Sequence, residues 1–236
     1  MRPGDEVLRL TRPLLRVVLA VSLDGRLAPP GGGAAQLGGP GDRRALEEAL
    51  CWADAALVGA ETLRRHGSTC LIHHADLLDQ RRRAGEPAQP IAIAVSAGGL
   101  LPPGLPFFRQ SLSRWLLAPP TATAPWADRS AFDRLLPLNG WPAALAQLQA
   151  LGLRRLLVLG GSGLIASLAE AAVLDELQLT ICPRLLGGGH GWLPAAAVVP
   201  AWLQEGWQLL EHRPLGGEEL LLRYGRPGGQ RPSVQG

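Results

Sequence analysis

"RRLLVLGGSGLIASLAEA", residues Arg154–Ala171, passes from one structural character to another twice in a short space. The apolar run Arg154–Leu159 has the length of a buried strand. It breaks at Gly160, Gly161 and Gly163, which surround Ser162, and an alanine-rich pattern with helical spacing follows. A strand, a glycine turn and a helix in this order leave backbone N–H groups unpaired at the first helical turn. The helix dipole adds partial positive charge there, so an anion such as a pyrophosphate can be held. The glycines admit it without Cβ contact, and Ser162 can cap the helix or donate its hydroxyl. On that reading Gly161→Val blocks the ligand. The spacing is not G-x-G-x-x-G, and a plain tight connection between strand and helix explains the stretch equally well when it is taken alone.

Working outward, "LLRVVLAV" (Leu14–Val21), "PIAIAVS" (Pro90–Ser96), "RWLLA" (Arg114–Ala118) and "DELQLTICP" (Asp175–Pro183) read as further strands. "DRRALEEALCWA", with Asp42 as its N-cap, and "WPAALAQLQALG" (Trp141–Gly152) read as helices. "DAALVGAETLRRH" (Asp54–His66) reads as strand, turn and helix start. Residues 119–140 read as a loop with one short helix, and Gly206–Gly225 as a hairpin turning around Pro214–Gly217. Strands alternating with helices predict a three-layer αβα fold. Its sheet is mixed but mainly parallel, with an antiparallel C-terminal hairpin. The expected domain spans 12–225, with flexible ends at 1–11 and 226–236.

Composition removes several classes of function. The 236 residues include 23 basic ones, every one an arginine, so no lysine serves as a P-loop, Schiff-base or pyridoxal-phosphate anchor. A net charge of +3 suits an anionic small molecule but is too small to argue for nucleic acid. Three cysteines, Cys51, Cys70 and Cys182, show no CxxC spacing and read as reduced apolar residues rather than a disulfide or zinc set. His66, His73 and His74 cluster, but no acid or cysteine completes a ligand spacing. No G-x-S-x-G elbow is present. With no signal peptide and no long apolar span, the expected location is the cytoplasm, away from membranes.

Two other turns resemble the opening one. "LVGAETLRRHG" places Thr62 near a helix start, where it can cap the helix or bind a phosphate oxygen. "SLDGRLA" places Asp24 in a turn after Leu14–Val21. Its side chain either bonds its own backbone or points into the cleft beyond the strand ends.

Taken in order, "LAVSLDGRLA", "DAALVGAETL", "IAIAVS", "LVLGGSGLIASLAEA" and "VLDELQLTICPRLLGGG" resemble the pyrimidine reductase domain of riboflavin biosynthesis, from about Arg12 to about Tyr224. The resemblance implies a dihydrofolate-reductase-like fold and a homodimer. It implies NADPH-dependent reduction of 5-amino-6-(5-phosphoribosylamino)uracil to the ribitylamino compound, with hydride passing to the ribose C1′ of an open, imine-like sugar. It further implies cofactor contacts at Thr62, Ser96, Gly160, Gly161, Ser162, Gly163 and Leu164. Substrate contacts fall at Ser22, Asp24 and His73, with Asp24 at the mouth of the site as the catalytic carboxylate, orienting either the substrate or the nicotinamide end. His73 stands where the family has an arginine for the substrate phosphate, and it can pair with that phosphate when protonated. The zinc motifs of family members that carry a deaminase domain are missing, so a stand-alone reductase is expected. Arg114 and Arg129 are the arginines considered for the cofactor's 2′-phosphate.

Three further departures fall on the substrate half. Leu159 replaces a glutamate before the glycine pair, His66 an aspartate after the threonine, and Gln36 a tryptophan of the early glycine-rich loop. Leu159 favours one rival, a reductase of the same fold with another substrate; a second rival is a non-catalytic nucleotide-binding or assembly protein that kept the fold.

Overall fold

A computed structural model describes residues 12–33, 36–99, 101–123, 126, 131–194 and 199–226. Among these residues nine strands form one sheet: β1 (Leu14–Ser22), β2 (Ala55–Gly59), β3 (Ile91–Val95), β4 (Arg114–Ala118), β5 (Arg134–Pro137), β6 (Arg155–Val158), β7 (Glu176–Cys182), β8 (Gln208–Gly216) and β9 (Glu219–Gly225). Their order is β5-β4-β3-β2-β6-β1-β7-β9-β8. All pairings from β5 to β7 are parallel, and β9 and β8 close the sheet antiparallel. The turn between β8 and β9 lies at Gly216–Glu218, whose φ values of 83°, 59° and 61° place three successive residues in the left-handed region.

The helices divide between the faces as a parallel sheet requires. Against one face lie α4 (Trp141–Ala150) and α5 (Ser162–Glu170). They bury Leu145, Leu148, Ile165 and Leu168 on Leu15, Val17, Leu57 and Leu156. Against the other lie α1 (Pro40–Trp52) and α3 (Ala75–Arg83), with Leu50 and Leu77 packed on Ala56 and Leu157. The same face is extended by a cluster of Phe107, Trp126 and Phe132 over Ala92 and Leu116. The short α2 (Ala60–His66) follows β2 without an intervening turn. The three-layer order and the closing hairpin agree with the dihydrofolate-reductase-like architecture expected from the sequence.

A recurring device fixes the amino ends of the parallel strands, where first-residue N–H groups lack partners. Asp54, Asp133 and Asp175 each stand just before a strand and each accept from the adjacent one. Asp54 takes Arg154 N and Arg155 N at 2.7 and 2.8 Å, Asp133 takes Arg114 N at 2.8 Å, and Asp175 takes Leu15 N at 2.8 Å. An ionised acceptor strengthens each bond.

Three expectations are corrected. Residues 119–140 contain β5, an edge strand whose exposed positions hide the usual alternation. Asp42 is not the N-cap of α1. The helix starts at Pro40, and its first amides are met by Glu219 of β9, whose carboxylate accepts from Gly39 N at 2.6 Å and Asp42 N at 3.3 Å. Arg114 sits at the amino end of β4, bonded to the Gln110 carbonyl and far from the strand ends that bind ligands. Arg129 and the expected flexible ends lie outside the described residues, apart from Arg226, whose N–H donates to Asp175 O at 2.8 Å.

Candidate functional site

The carboxyl ends of β4, β3, β2, β6 and β1 border one cleft of about 1350 Å³. Its floor follows the strand order. Pro119 lies beyond β4, Ser96–Gly98 beyond β3, Gly59–Thr62 beyond β2 and Leu159–Leu164 beyond β6. Leu27, Ala28, Gly33, His190 and Gly191 form the far end. This is the edge where open α/β sheets place ligands.

At its centre the two glycine-bearing turns meet. Gly160 and Gly161 have φ of +82° and +88°, backbone that L side chains rarely adopt. A Cβ on Gly161 would lie 2.9 Å from Thr62 Oγ1, so the turn after β6 and the start of α2 close on each other with no room for a methyl group. Gly161 is the N-cap of α5 and no side chain caps the helix, which leaves its first-turn amides without intrahelical acceptors. Gly163, inside that first turn, has ordinary φ, and a Cβ added there would meet nothing within 4 Å; Gly98 on the opposite wall is equally open. At Gly163 neither backbone conformation nor packing calls for glycine, although glycine costs a helix about 1 kcal/mol relative to alanine.

Thr62, Ser96, Gly160, Gly161, Ser162, Gly163 and Leu164 therefore line one cleft. Ser22, Asp24 and His73 do not line it. Ser22 is buried, and its hydroxyl donates to Asp24 Oδ1 at 2.6 Å while accepting from Arg26 N at 2.9 Å. Asp24 also accepts from Leu186 N on Oδ1 at 3.0 Å and from Gly187 N on Oδ2 at 2.8 Å. Its carboxylate thus ties the loop after β1 to the loop after β7. Of the two roles left open for Asp24, the turn role is extended to a second loop. The Ser22 hydroxyl first, then the two amides, hold its pKa down to about 2. The same two loops are joined by Leu23 N to Arg184 O, Leu27 N to His190 O and an Arg26–Gly191 bridge. His73 is exposed on the α1 side, and its N–H donates to Glu47 at 2.7 Å.

The sequence reading missed His190 and the wall formed by Trp141 and Ser167, whose side chains bond to each other at 3.0 Å. His190 follows three glycines, a hint of close approach, but nothing local tells that the loop folds back over Pro30, whose carbonyl lies 3.2 Å from Nε2. Leu159 lines the cleft at the place of the family glutamate, and Gln36 does not line it. Among the described residues no group of three or more histidine, cysteine or acidic side chains is arranged to hold a metal ion, and no helix is long and apolar enough to cross a membrane.

A three-layer αβα arrangement with a cleft at the strand carboxyl ends, glycine turns at its centre and an antiparallel close defines an α/β protein of the dihydrofolate-reductase-like kind. The chain belongs to the RibD C-terminal domain family, whose model matches residues 13–216. A relative from Methanothermobacter thermautotrophicus, named 2,5-diamino-6-ribosylamino-4(3H)-pyrimidinone 5′-phosphate reductase, is 25% identical over 229 residues, covering 90% of this chain and 98% of the relative. The structure of Acinetobacter baumannii RibD superposes with a TM-score of 0.74 at 20% identity, covering 91% of this chain; the chain spans 58% of that longer protein. The Saccharomyces riboflavin biosynthesis reductase Rib7 superposes with a TM-score of 0.65 at 16% identity, covering 91% of this chain and 90% of that one.

Proposed function

We propose that this chain is an NADPH-dependent reductase of riboflavin biosynthesis, acting on a 6-ribosylamino pyrimidine 5′-phosphate. The observation that carries the reading is the convergence of the Gly160–Gly163 turn with Thr62 at the centre of the cleft. The residues fit a dinucleotide: uncapped amides of α5 for a pyrophosphate, Thr62 and Ser96 as hydroxyl donors, and open space over Gly163 and Gly98 where a Cβ would intrude. The nicotinamide supplies the hydride when bound.

The chain's own residues bind and orient. The α5 amides and Thr62 hold the phosphates. Leu19, Leu27 and Ala28 form the apolar end, which excludes water from the hydride path. Asp24 acts as a positioning residue: it fixes the two loops that bring Leu27, Ala28, His190 and Gly191 to that end. His73, which does not line the cleft, is assigned to a substrate phosphate that extends past it. A homodimer is part of the proposal, supported by the exposed Leu209 and Leu220 on the edge hairpin; light scattering in solution tests it.

The activity test follows NADPH absorbance with both the uracil substrate and the 2-amino pyrimidinone named for the archaeal relative. Oxidation with either supports the reading, and the ratio identifies the substrate. Leu159, an apolar side chain where the family has an acid, favours one second reading, a reductase of the same fold with a different acceptor. NADPH binding with no turnover of either pyrimidine turns the assignment that way or to a non-catalytic protein.

A further inference from the structure

The proposed reduction consumes a proton as well as a hydride. The ribose ring of a 6-ribosylamino pyrimidine must open before C1′ can accept hydride, and its ring oxygen O4′ leaves as an alkoxide unless a positioned acid meets it. Among the described residues the titratable side chains lining the cleft are Glu61, Arg64, Arg65, His66 and His190. The first four belong to α2, on the β2 side of the glycine turns. His190 stands apart from them, at the apolar end with Leu27 and Ala28.

Several contacts fix that ring. His190 O accepts from Leu27 N at 2.8 Å, and the next residue, Gly191, bridges to Arg26. Gly188, at φ +74°, lets the loop press on Pro30, where a Cβ would come within 2.9 Å of Pro30 Cα. The ring meets the Pro30 carbonyl through Nε2 at 3.2 Å. A carbonyl only accepts, so Nε2 carries a hydrogen and the proton that comes and goes sits on Nδ1. Nδ1 has no partner among the described residues. The side chain is exposed, so water can recharge it after each turnover. The charged groups of the two loops around it are Asp24, Arg26 and Arg184. Asp24 accepts from Ser22, Leu186 and Gly187, Arg26 lies 3.8 Å from Asp24, and Arg184 donates to the Gln36 carbonyl at 3.0 Å. A carboxylate held by three donors has no proton to give, and an arginine does not release its own.

We infer that His190 is the proton donor of the reduction, its imidazolium delivering the Nδ1 proton to O4′ as the sugar ring opens. The inference rests on the proposed reductase activity. The C1′–O4′ bond breaks with its electron pair going to O4′, which takes the proton. The lone pair of the exocyclic nitrogen closes a C1′=N bond. C1′ then accepts the hydride, and the pair of that bond returns to nitrogen. The sugar carbon is reduced, the dinucleotide is oxidised, and one proton is consumed. The rival explanation is that the ring only buttresses its loop through Pro30.

His190→Gln separates the two, because its amide nitrogen keeps a donor for the Pro30 carbonyl while the titrating nitrogen is lost; His190→Ala removes both. In the wild type kcat/KM falls as pH rises and the imidazolium loses its proton. His190→Gln lowers kcat near neutral pH by about 100-fold and abolishes that alkaline limb. The Kd for NADPH, read by nicotinamide fluorescence, and the Tm stay at their wild-type values. In the free protein the His190 ring, assigned by the NMR signal that His190→Gln removes, titrates where the limb falls. Imidazole added to His190→Ala restores turnover in proportion to its concentration, which a buttress does not predict. A wild-type kcat and pH profile in His190→Gln overturn the inference. So does an alkaline limb that survives there and vanishes in His66→Gln, which puts the donor on α2. A wild type that reduces neither pyrimidine removes the reductase reading as well; one that reduces either and is indifferent to His190→Gln removes the proton donor alone.

Discussion

The two edges of the sheet are built on opposite principles. At the amino ends of the parallel strands, charged side chains satisfy one another inside the protein. Arg16 bonds Glu176 at 2.7 Å and stacks on Trp52 at 3.9 Å, Arg12 grips Asp175, and Arg155 spans Asp54 and Glu86. At the carboxyl ends, backbone amides and glycines face a cleft, and the acidic and arginine side chains that line it stand aside on α2. The difference teaches where each edge is vulnerable. Removing a charge at the first edge harms the fold, whereas adding a methyl group at the second harms the ligand site.

The largest expected effect is at the amino edge. Arg81 is 2% exposed; its guanidinium donates to the carbonyls of Cys51, Ala53 and Pro87 and pairs with Glu86, so it caps the C-terminus of α1. Arg81→Met leaves these acceptors unpaired and costs about 3–5 kcal/mol. For a domain of this size that lowers Tm by roughly 10 °C. NADPH affinity measured below the new Tm stays at the wild-type value; a matching loss of affinity breaks the division between the edges.

Next come the glycines. Gly161→Val forces a branched side chain to φ +88° and drives its Cβ toward Thr62 Oγ1, so NADPH binding is lost at concentrations that saturate the wild type. That substitution also strains the backbone, and Gly163→Ala sharpens the comparison because it does not. Alanine at Gly163 meets no protein atom within 4 Å and favours the helix by up to about 1 kcal/mol. Tm is expected to hold or rise while the Kd for NADPH increases. Unchanged affinity in Gly163→Ala places the pyrophosphate elsewhere.

What the sequence made legible follows the same division. Local features were readable: the apolar strands, the glycine turn after β6, and Thr62 at the start of α2. What escaped was long-range. The acid that caps α1 is Glu219, distant in the chain, while Asp42 is half-buried beside Thr180, its pKa raised by desolvation with Thr180 opposing and Glu219 adding to the rise. The Asp24-Gly25 turn was evident, with Gly25 at φ +73°, but the partners of its carboxylate are amides beyond β7. Helix α3 has only Leu77 and Leu78 as apolar anchors, so periodicity did not announce it.

The smallest effect tests the charged clasp on the carboxyl edge. Asp24 has a pKa of about 2 in the folded chain, against about 3.9 in an unfolded one. Between those values the unfolded chain binds more protons, so stability rises with pH. The clasp contributes fully above about pH 4, and its contribution is lost as pH falls toward about 2. Asp24→Asn keeps one carbonyl acceptor but turns an NH₂ group toward a backbone donor. Its Tm should lie below the wild-type value near neutral pH, by less than the Arg81→Met loss, and the two melting curves should converge as pH falls from about 4 to about 2. At neutral pH the variant should raise KM for the pyrimidine more than the Kd for NADPH, because Asp24 holds the far end of the cleft and not the glycine turns. A Tm gap that persists unchanged down to about pH 2 means the carboxylate charge does not hold the loops.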